Sequence, residues 1–214
     1  MLQNARHQNK NMNNRVKIIR GILEKTNGER EISAYLKKNK NILIKTFCTS
    51  WNYKTCVAEF SFGSDFKCDF LILCANSGFW TAIFIELESP KATLYLKNGT
   101  PSKILRIAQR QISDWKSWIR INETYLRQQF SKHFRKDKIS AQCSSVDMHN
   151  SADTEIADPH TVIRYGYKII IGRRNSLSKS DRERRLNENS EITTFDRLID
   201  VVKTLDDFCQ KYKC

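Results

Sequence analysis

The sequence predicts an α/β fold in which helices cover both faces of a central mixed β-sheet. Apolar residues recur at helical spacing near the start of the chain, in a long central segment and at the end. Between these segments lie short apolar runs bounded by turn residues, which are typical of buried strands. A chain of 214 residues is long enough to bury one core, so we expect one main domain.

The first half of the chain is predicted to form two helices and four strands. Helical spacing covers residues 16–25 and 29–38, and Asn27-Gly28 between them is a stop signal. Apolar runs predict strands at 41–47 and 55–62. Two further strands follow, joined by the turn sequence Ala75-Asn76-Ser77-Gly78, and form an antiparallel hairpin.

A long helix is predicted next, from Thr100-Pro101 as cap and first position to about residue 130. Gln111 falls on its inward face, where it needs hydrogen-bond partners from a metal-water or phosphate pocket or from a backbone carbonyl. The predicted apolar stripe contains Ile104, Ala108, Ile112, Trp115 and Ile119.

The remaining chain is predicted to complete the sheet. Residues 132–161 are polar and form an insertion, followed by a strand at 162–172, a charged helix at 179–187, a strand at 191–194 and a final helix at 195–212. We therefore divide the chain into a basic N-terminal arm and helix, residues 1–27, and a main domain, residues 28–214.

Charge and composition restrict the partners and the compartment. A formal net charge of +14 favours a polyanionic partner, either nucleic acid or an anionic membrane surface. No apolar run approaches the ~18 residues of a membrane span, and the first residues lack the apolar core of a signal peptide. We therefore expect a cytoplasmic protein that is not bound to a membrane.

The seven cysteines lack the spacing of a zinc site, which argues against structural zinc. We expect Cys68 and Cys74 to be free cysteines in the core.

Three carboxylates interrupt the hairpin's apolar strands. A turn centred on Asn76 and Ser77 places Asp69 opposite Phe84, with Glu86 as a diagonal neighbour and Glu88 on the same face. Carboxylates crowded in an apolar setting take up protons or share a hard cation such as Mg²⁺ or Mn²⁺. The alternative is an edge hairpin whose acids face water.

An ordered set of motifs resembles a known family. Asp69, Glu86-Leu87-Glu88 and Gln111-x-x-x-Trp115 look like the core of a PD-(D/E)xK nuclease, and the wider set resembles the nuclease domain of Shedu anti-phage defence proteins. That set consists of Phe62-Gly63-Ser64-Asp65, Cys68-Asp69-Phe70, Ile85 to Pro90, Gln111 to Trp115, Ile169 to Arg173 and Ile192 to Leu198. The resemblance implies a restriction-endonuclease-like three-layer fold and metal-dependent hydrolysis of DNA phosphodiesters.

The resemblance also implies roles for individual residues. Those matching Asp69 and Glu86 hold Mg²⁺ or Mn²⁺, and Gln111 orients water or a phosphate. Glu31 resembles a helix-borne accessory acid of some nucleases of this class, although Glu29 is equally near and either could form an intrahelical ion pair instead.

Glu88 stands where the family motif has lysine. It could be a third metal ligand, the ammonium could come from Lys67 or Lys91, or this chain could bind DNA without cutting it.

DNA is the expected partner, with a homo-oligomer as the expected assembly. The arginines expected to contact phosphates are Arg106, Arg110, Arg173 and Arg174. Two other functions stay open: a DNA-binding module with a decayed site, and a basic scaffold that assembles with partner proteins.

Overall fold

The computed structural model describes residues 15–48, 53–76, 78–136, 142–143, 146–188 and 191–212. A mixed six-stranded sheet lies at its centre, with the strand order β4-β1-β2-β3-β5-β6. The strands are β1 (Tyr53–Phe62), β2 (Phe66–Asn76), β3 (Phe79–Leu87), β4 (Gln142–Cys143), β5 (Ile163–Ile170) and β6 (Ile192–Thr193). Strands β1 to β3 pair antiparallel, whereas β3, β5 and β6 pair parallel.

Helices cover both faces of this sheet, which confirms the predicted three-layer class. The helices are α1 (15–25), α2 (Arg30–Lys38), α3 (Asn41–Phe47), α4 (Lys103–Lys136), α5 (Val146–Ala157), α6 (Lys179–Glu188) and α7 (Asp196–Tyr212), with a 3₁₀ turn at Arg174–Ser176. One core cluster joins the sheet to α1, α2, α3 and α7, and the other joins it to α4 and α5. Because both faces are covered, β2 and β3 read as nearly continuous apolar runs.

The predicted strand at 41–47 is wrong, because this segment forms helix α3. Backbone bonds from Ile44 to Lys40 and from Cys48 to Ile44 establish the helical ladder. Three consecutive apolar residues, Ile42 to Ile44, are all buried, and a short run of this kind does not distinguish helix from strand. Tertiary packing against the second core cluster decides between them.

The turn of the hairpin lies one residue later than predicted. Asn76 pairs with Phe79, so the turn shifts the register by two residues, and Leu71 rather than Asp69 pairs with Phe84. A two-residue shift by itself does not exchange the two faces of the sheet. The alternation of β2 changes at Asp69, since Cys68 shares a core cluster with Leu71 and not with Phe70. The last ladder pair joins Phe70 to Ile85, so Asp69 and Glu86 come next, directly across from each other rather than diagonally.

Helix α4 begins later and ends later than the sequence indicates. Ser102, not Thr100, caps it, since Ser102 Oγ accepts a hydrogen bond of 3.2 Å from Leu105 N–H. Leu105 is buried on the inward stripe, whereas Ile104 is 39% exposed. Asn122 interrupts the helical dihedrals, and the helix continues to Lys136.

The state of one cysteine differs from the prediction. Cys48 and Cys74 form a disulfide, so the expectation that Cys74 is free is wrong, while Cys68 is free and buried as expected. The pairing depends on α3 ending beside β2, which has no sequence signal.

None of the helices in the described ranges has the length and apolar character needed to cross a membrane.

Candidate active site

Two predicted acids meet where β2 and β3 stop pairing. Asp69 Oδ2 accepts a hydrogen bond of 2.7 Å from the backbone N–H of Leu87, on the strand that carries Glu86. Beyond the last ladder pair, the Asp69 side chain thus accepts the hydrogen bond from a backbone N–H of β3. This bond fixes the carboxylate of Asp69 at the strand end, beside Glu86.

Gln111 joins this pair from helix α4. Its Nε2 donates a hydrogen bond of 3.0 Å to Glu86 Oε1. Gln111 lies at the margin of the inward stripe and stays partly exposed, while Trp115, one turn further along, is fully buried. The structure therefore brings Asp69, Glu86 and Gln111 together, as the sequence predicts.

Burial and neighbouring carboxylates raise the pKa values of both carboxyls. Burial and the nearby charge of Asp69 raise the pKa of Glu86 to about 8, although the bond from Gln111 opposes the shift. Burial also raises the pKa of Asp69, opposed by the Leu87 N–H and reinforced by Glu29. Crowded, partly buried carboxylates of this kind favour either a proton or a cation.

Glu88 lies just past β3, and its backbone N–H donates to Ile170 O at 2.9 Å. Burial, then Glu29 and Asp69, raise the pKa of Glu88 to about 7. It therefore shares the electrostatic environment of the pair.

Of the two glutamates, it is Glu29 whose charge acts on these carboxylates. Glu29 occupies the N-cap position of α2, and its charge raises the pKa values of Asp69, Glu86 and Glu88. Glu31 instead lines a separate hollow against α1, together with Lys17 and Lys25. The sequence placed the two glutamates equally near and had no signal to choose between them.

A hydrogen-bonded turn holds the start of α2 against the end of β3. Ser89 Oγ donates to Asn27 O at 2.8 Å, and Lys91 Nζ donates to Asn27 Oδ1 at 2.7 Å. Lys91, one of the two predicted sources of an ammonium group, is therefore engaged with Asn27. These bonds position Glu29, two residues further on.

Two other lysines converge on Glu59, which lies across from Asp69 between the pairs Ala58–Phe70 and Phe60–Cys68. Its carboxylate Oε1 is 3.3 Å from Lys37 Nζ and 3.0 Å from Lys67 Nζ.

The backbone conformation of Glu59 explains why the side chains of β1 change faces at this residue. Its φ is +54°, which is uncommon outside glycine and breaks the alternation of β1. As a result, Phe60 and Phe62 lie in the same core cluster as Val57.

Sequence reasoning missed Lys37, which lies on α2 rather than near a motif. Its charge lowers the pKa of Asp69, opposing the effect of burial. The only available signal was the position of Lys37 in the last turn of the helix that carries Glu29 at its start.

The carboxylates of Asp69 and Glu86 are oxygen donors of the kind that a magnesium-like ion binds. No cluster of three or more His, Cys, Asp or Glu side chains within the described residues is arranged to hold a metal. Mg²⁺ commonly binds one or two carboxylates and completes its shell with water and substrate phosphates. Asp69 and Glu86 supply two such carboxylates at one strand end.

The four predicted DNA-contacting arginines fall into two groups. Arg106 and Arg110 are exposed on α4, and Arg110 lines the same hollow as Gln111. Arg173 is paired with Asp196 at 3.1 Å, and Arg174 with Asp200 at 2.6 Å. The second group is thus engaged in intramolecular ion pairs.

The family model described as "Shedu protein SduA, C-terminal" matches residues 26–199, which is more than half of the chain. The chain belongs to this Shedu family. The match begins just before α2 and includes Glu29, Asp69, Glu86 and Gln111 of the Shedu chain.

Membership in the Shedu family suggests a role in anti-phage defence. No curated protein matches the Shedu chain.

Proposed function

We propose that this Shedu protein is a metal-dependent DNA endonuclease that nicks or end-cuts DNA in anti-phage defence. The observation that carries the proposal is the half-buried pair of Asp69 and Glu86, with raised pKa values and with Gln111 bonded to Glu86. The formal charge of +14 supports a polyanionic substrate. Family membership supports the biological setting.

In this proposal Asp69 and Glu86 hold Mg²⁺ or Mn²⁺. The bound ion supplies Lewis-acid activation of water and neutralises charge on the phosphate. The Leu87 N–H fixes the orientation of Asp69, and the Gln111 amide fixes that of Glu86, so neither carboxylate has to reorganise. Exposed Arg106 and Arg110 on α4 contact the DNA backbone.

Lys37 takes the place of the motif lysine that Glu88 replaces. Glu88 brings a further negative charge to the site and cannot donate a hydrogen bond when ionised. Lys37 reaches Glu59, across from Asp69, and its ammonium group opposes the negative charge there. A preorganised cation at this position stabilises charge that develops on the phosphate.

We expect Lys37→Gln to slow DNA cleavage by about 10- to 100-fold with little change in metal affinity. Lys37→Arg should restore part of the rate because it keeps the charge. Lys45→Gln removes an exposed lysine on α3, away from the carboxylates, and should cut as the parent does. Single-turnover cleavage with saturating Mn²⁺ measures all three variants, and a large loss in Lys67→Gln with none in Lys37→Gln would contradict the assignment.

Glu29 and Glu31 offer a matched pair on one helix. We expect Glu29→Gln to change Mn²⁺ affinity by about 10-fold, because Glu29 acts on all three site carboxyls. Glu31→Gln should leave the affinity unchanged, because Glu31 faces α1. Isothermal titration calorimetry measures both, and the reverse result would show that the structure places the wrong glutamate at the site.

Incubating the purified full chain with supercoiled, linear and single-stranded DNA tests the proposal. We expect cleavage of at least one form with Mg²⁺ or Mn²⁺ and none in excess EDTA. The absence of cutting of every form with both metals would contradict an endonuclease.

Glu88 favours a second candidate, a DNA-binding module with a decayed site. Calorimetry separates the two, because a decayed site should show no divalent-metal binding that depends on Asp69 and Glu86.

A further inference from the structure

A hollow of about 430 Å³ adjoins the candidate active site at Gln111. Its walls are residues 65–67, where the chain enters β2, and one face of α4 from Ile107 to Trp115. Gln111 lines this hollow and also donates to Glu86, so the hollow and the candidate active site share a side chain. Its volume falls in the range of clefts that hold small organic groups.

The apolar part of the hollow is an aromatic ring opposite an exposed aliphatic side chain. The Phe66 ring is half-buried and held in place by Phe62, with centroids 5.8 Å apart, and by Trp118, at 6.3 Å. Ile107 is 54% exposed on α4. A flat apolar group between them would cover both.

Trp115 also lines the hollow, and its side chain is fully buried. It therefore shapes the wall of the hollow, while the polar contacts to a ligand come from the more exposed residues of the lining.

The charges argue against a bare phosphate in this position. Lys67 and Arg110 line the hollow, but so do Asp65 and Asp114, so the formal charges cancel. Lys67 is in addition paired with Glu59. Carboxylates accept hydrogen bonds from the exocyclic amino groups of bases. The lining therefore suits a flat aromatic group that carries both donors and acceptors.

We propose that this hollow binds an unpaired nucleobase of the DNA strand, next to the phosphate held at Asp69 and Glu86. Aromatic rings stack on bases of any sequence, so the site reads an unpaired state rather than a sequence. The proposal rests on the proposed nuclease function and adds a substrate preference to it. DNA with a flap, gap or mismatch should bind more tightly than a fully paired duplex.

The test measures binding by the full chain in EDTA, where metal-dependent cutting is absent. One probe is a paired duplex, and the other is the same duplex with one unpaired 2-aminopurine. We expect at least 5-fold tighter binding of the second probe and quenching of its fluorescence by stacking. Both effects should disappear in Ile107→Ser, a surface substitution, and in Phe66→Ala.

Ile121→Ser is the matched control, because Ile121 is 77% exposed on the same helix and lies outside the hollow. It should bind both probes as the parent does. Equal binding of the two probes, or a preference that survives Ile107→Ser, would overturn the hollow as a base site and leave the nuclease proposal standing. If neither probe binds and the parent also fails to cut DNA with metal, the nuclease proposal and this inference fail together.

Discussion

Replacing Asp69 with asparagine is expected to reduce metal-dependent DNA cleavage by at least about 100-fold, with the fold retained. The amide oxygen of asparagine can still accept the hydrogen bond that Leu87 N–H gives to Asp69 Oδ2 at 2.7 Å. The amide cannot supply the negative charge that a divalent cation requires. The substitution therefore removes the charge that binds the metal and keeps the hydrogen bond at the end of the strand.

Two further variants make this result interpretable. Asp69→Ala should cut as poorly as Asp69→Asn but should also unfold at lower urea concentration, because the Leu87 N–H loses its acceptor. Glu24→Gln removes an exposed carboxylate on α1 and should cut like the parent. Cleavage rates and urea midpoints measure the two effects separately. An Asp69→Asn protein that cuts at the parent rate would refute the catalytic assignment.

Glu86→Gln is expected to stabilise the metal-free protein at alkaline pH. Burial and Asp69 raise the pKa of Glu86 from 4.5 to about 8 in the folded chain. The folded state therefore binds this proton more tightly than the unfolded state, and the parent loses stability as the pH rises from about 4.5 to about 8. Glutamine does not titrate, and its side-chain oxygen can still accept the bond from Gln111.

We expect the free energy of unfolding of Glu86→Gln to exceed that of the parent by about 2–4 kcal/mol at pH 8.5, with little difference at pH 4.5. Urea unfolding in EDTA across this pH range measures the difference. Adding Mn²⁺ should stabilise the parent and not the variant, because only the parent keeps both ligands. A variant that is less stable than the parent at pH 8.5 would show that Glu86 is not strained by its surroundings.

Part of this site can be predicted from the sequence alone. Asp69 and Glu86 stand out because they end apolar runs, and the period of two along a strand is enough to place them on one face. Their direct opposition was not predictable, because Asn76 could lie in the turn or in the ladder, and the structure puts it in the ladder opposite Phe79. Gln111 was recognisable from helical spacing, but its partner Glu86 lies 25 residues away.

Other charged groups near the site, and the partner of Arg173, have no signal in the local sequence. Lys37 and Glu29 lie at opposite ends of one short helix, and only the packing of α2 and its turn at Ser89 and Asn27 brings them near the carboxylates. Arg173 was predicted to bind phosphate, yet Asp196, 23 residues later, pairs with it. Such partners are set by long-range packing, which spacing along the chain does not encode.

Residue order alone reveals the three-layer class, the central acids and the Shedu resemblance, because burial on both faces and short motifs leave direct traces in it. Folding settles three further points: residues 41–47 are helical, the charge of Glu29 rather than that of Glu31 acts on the carboxylates, and Lys37 reaches Glu59. These points escape prediction because an apolar run satisfies a helix or a strand equally well. Which one forms, and which charges then meet, depends on the surfaces available for packing.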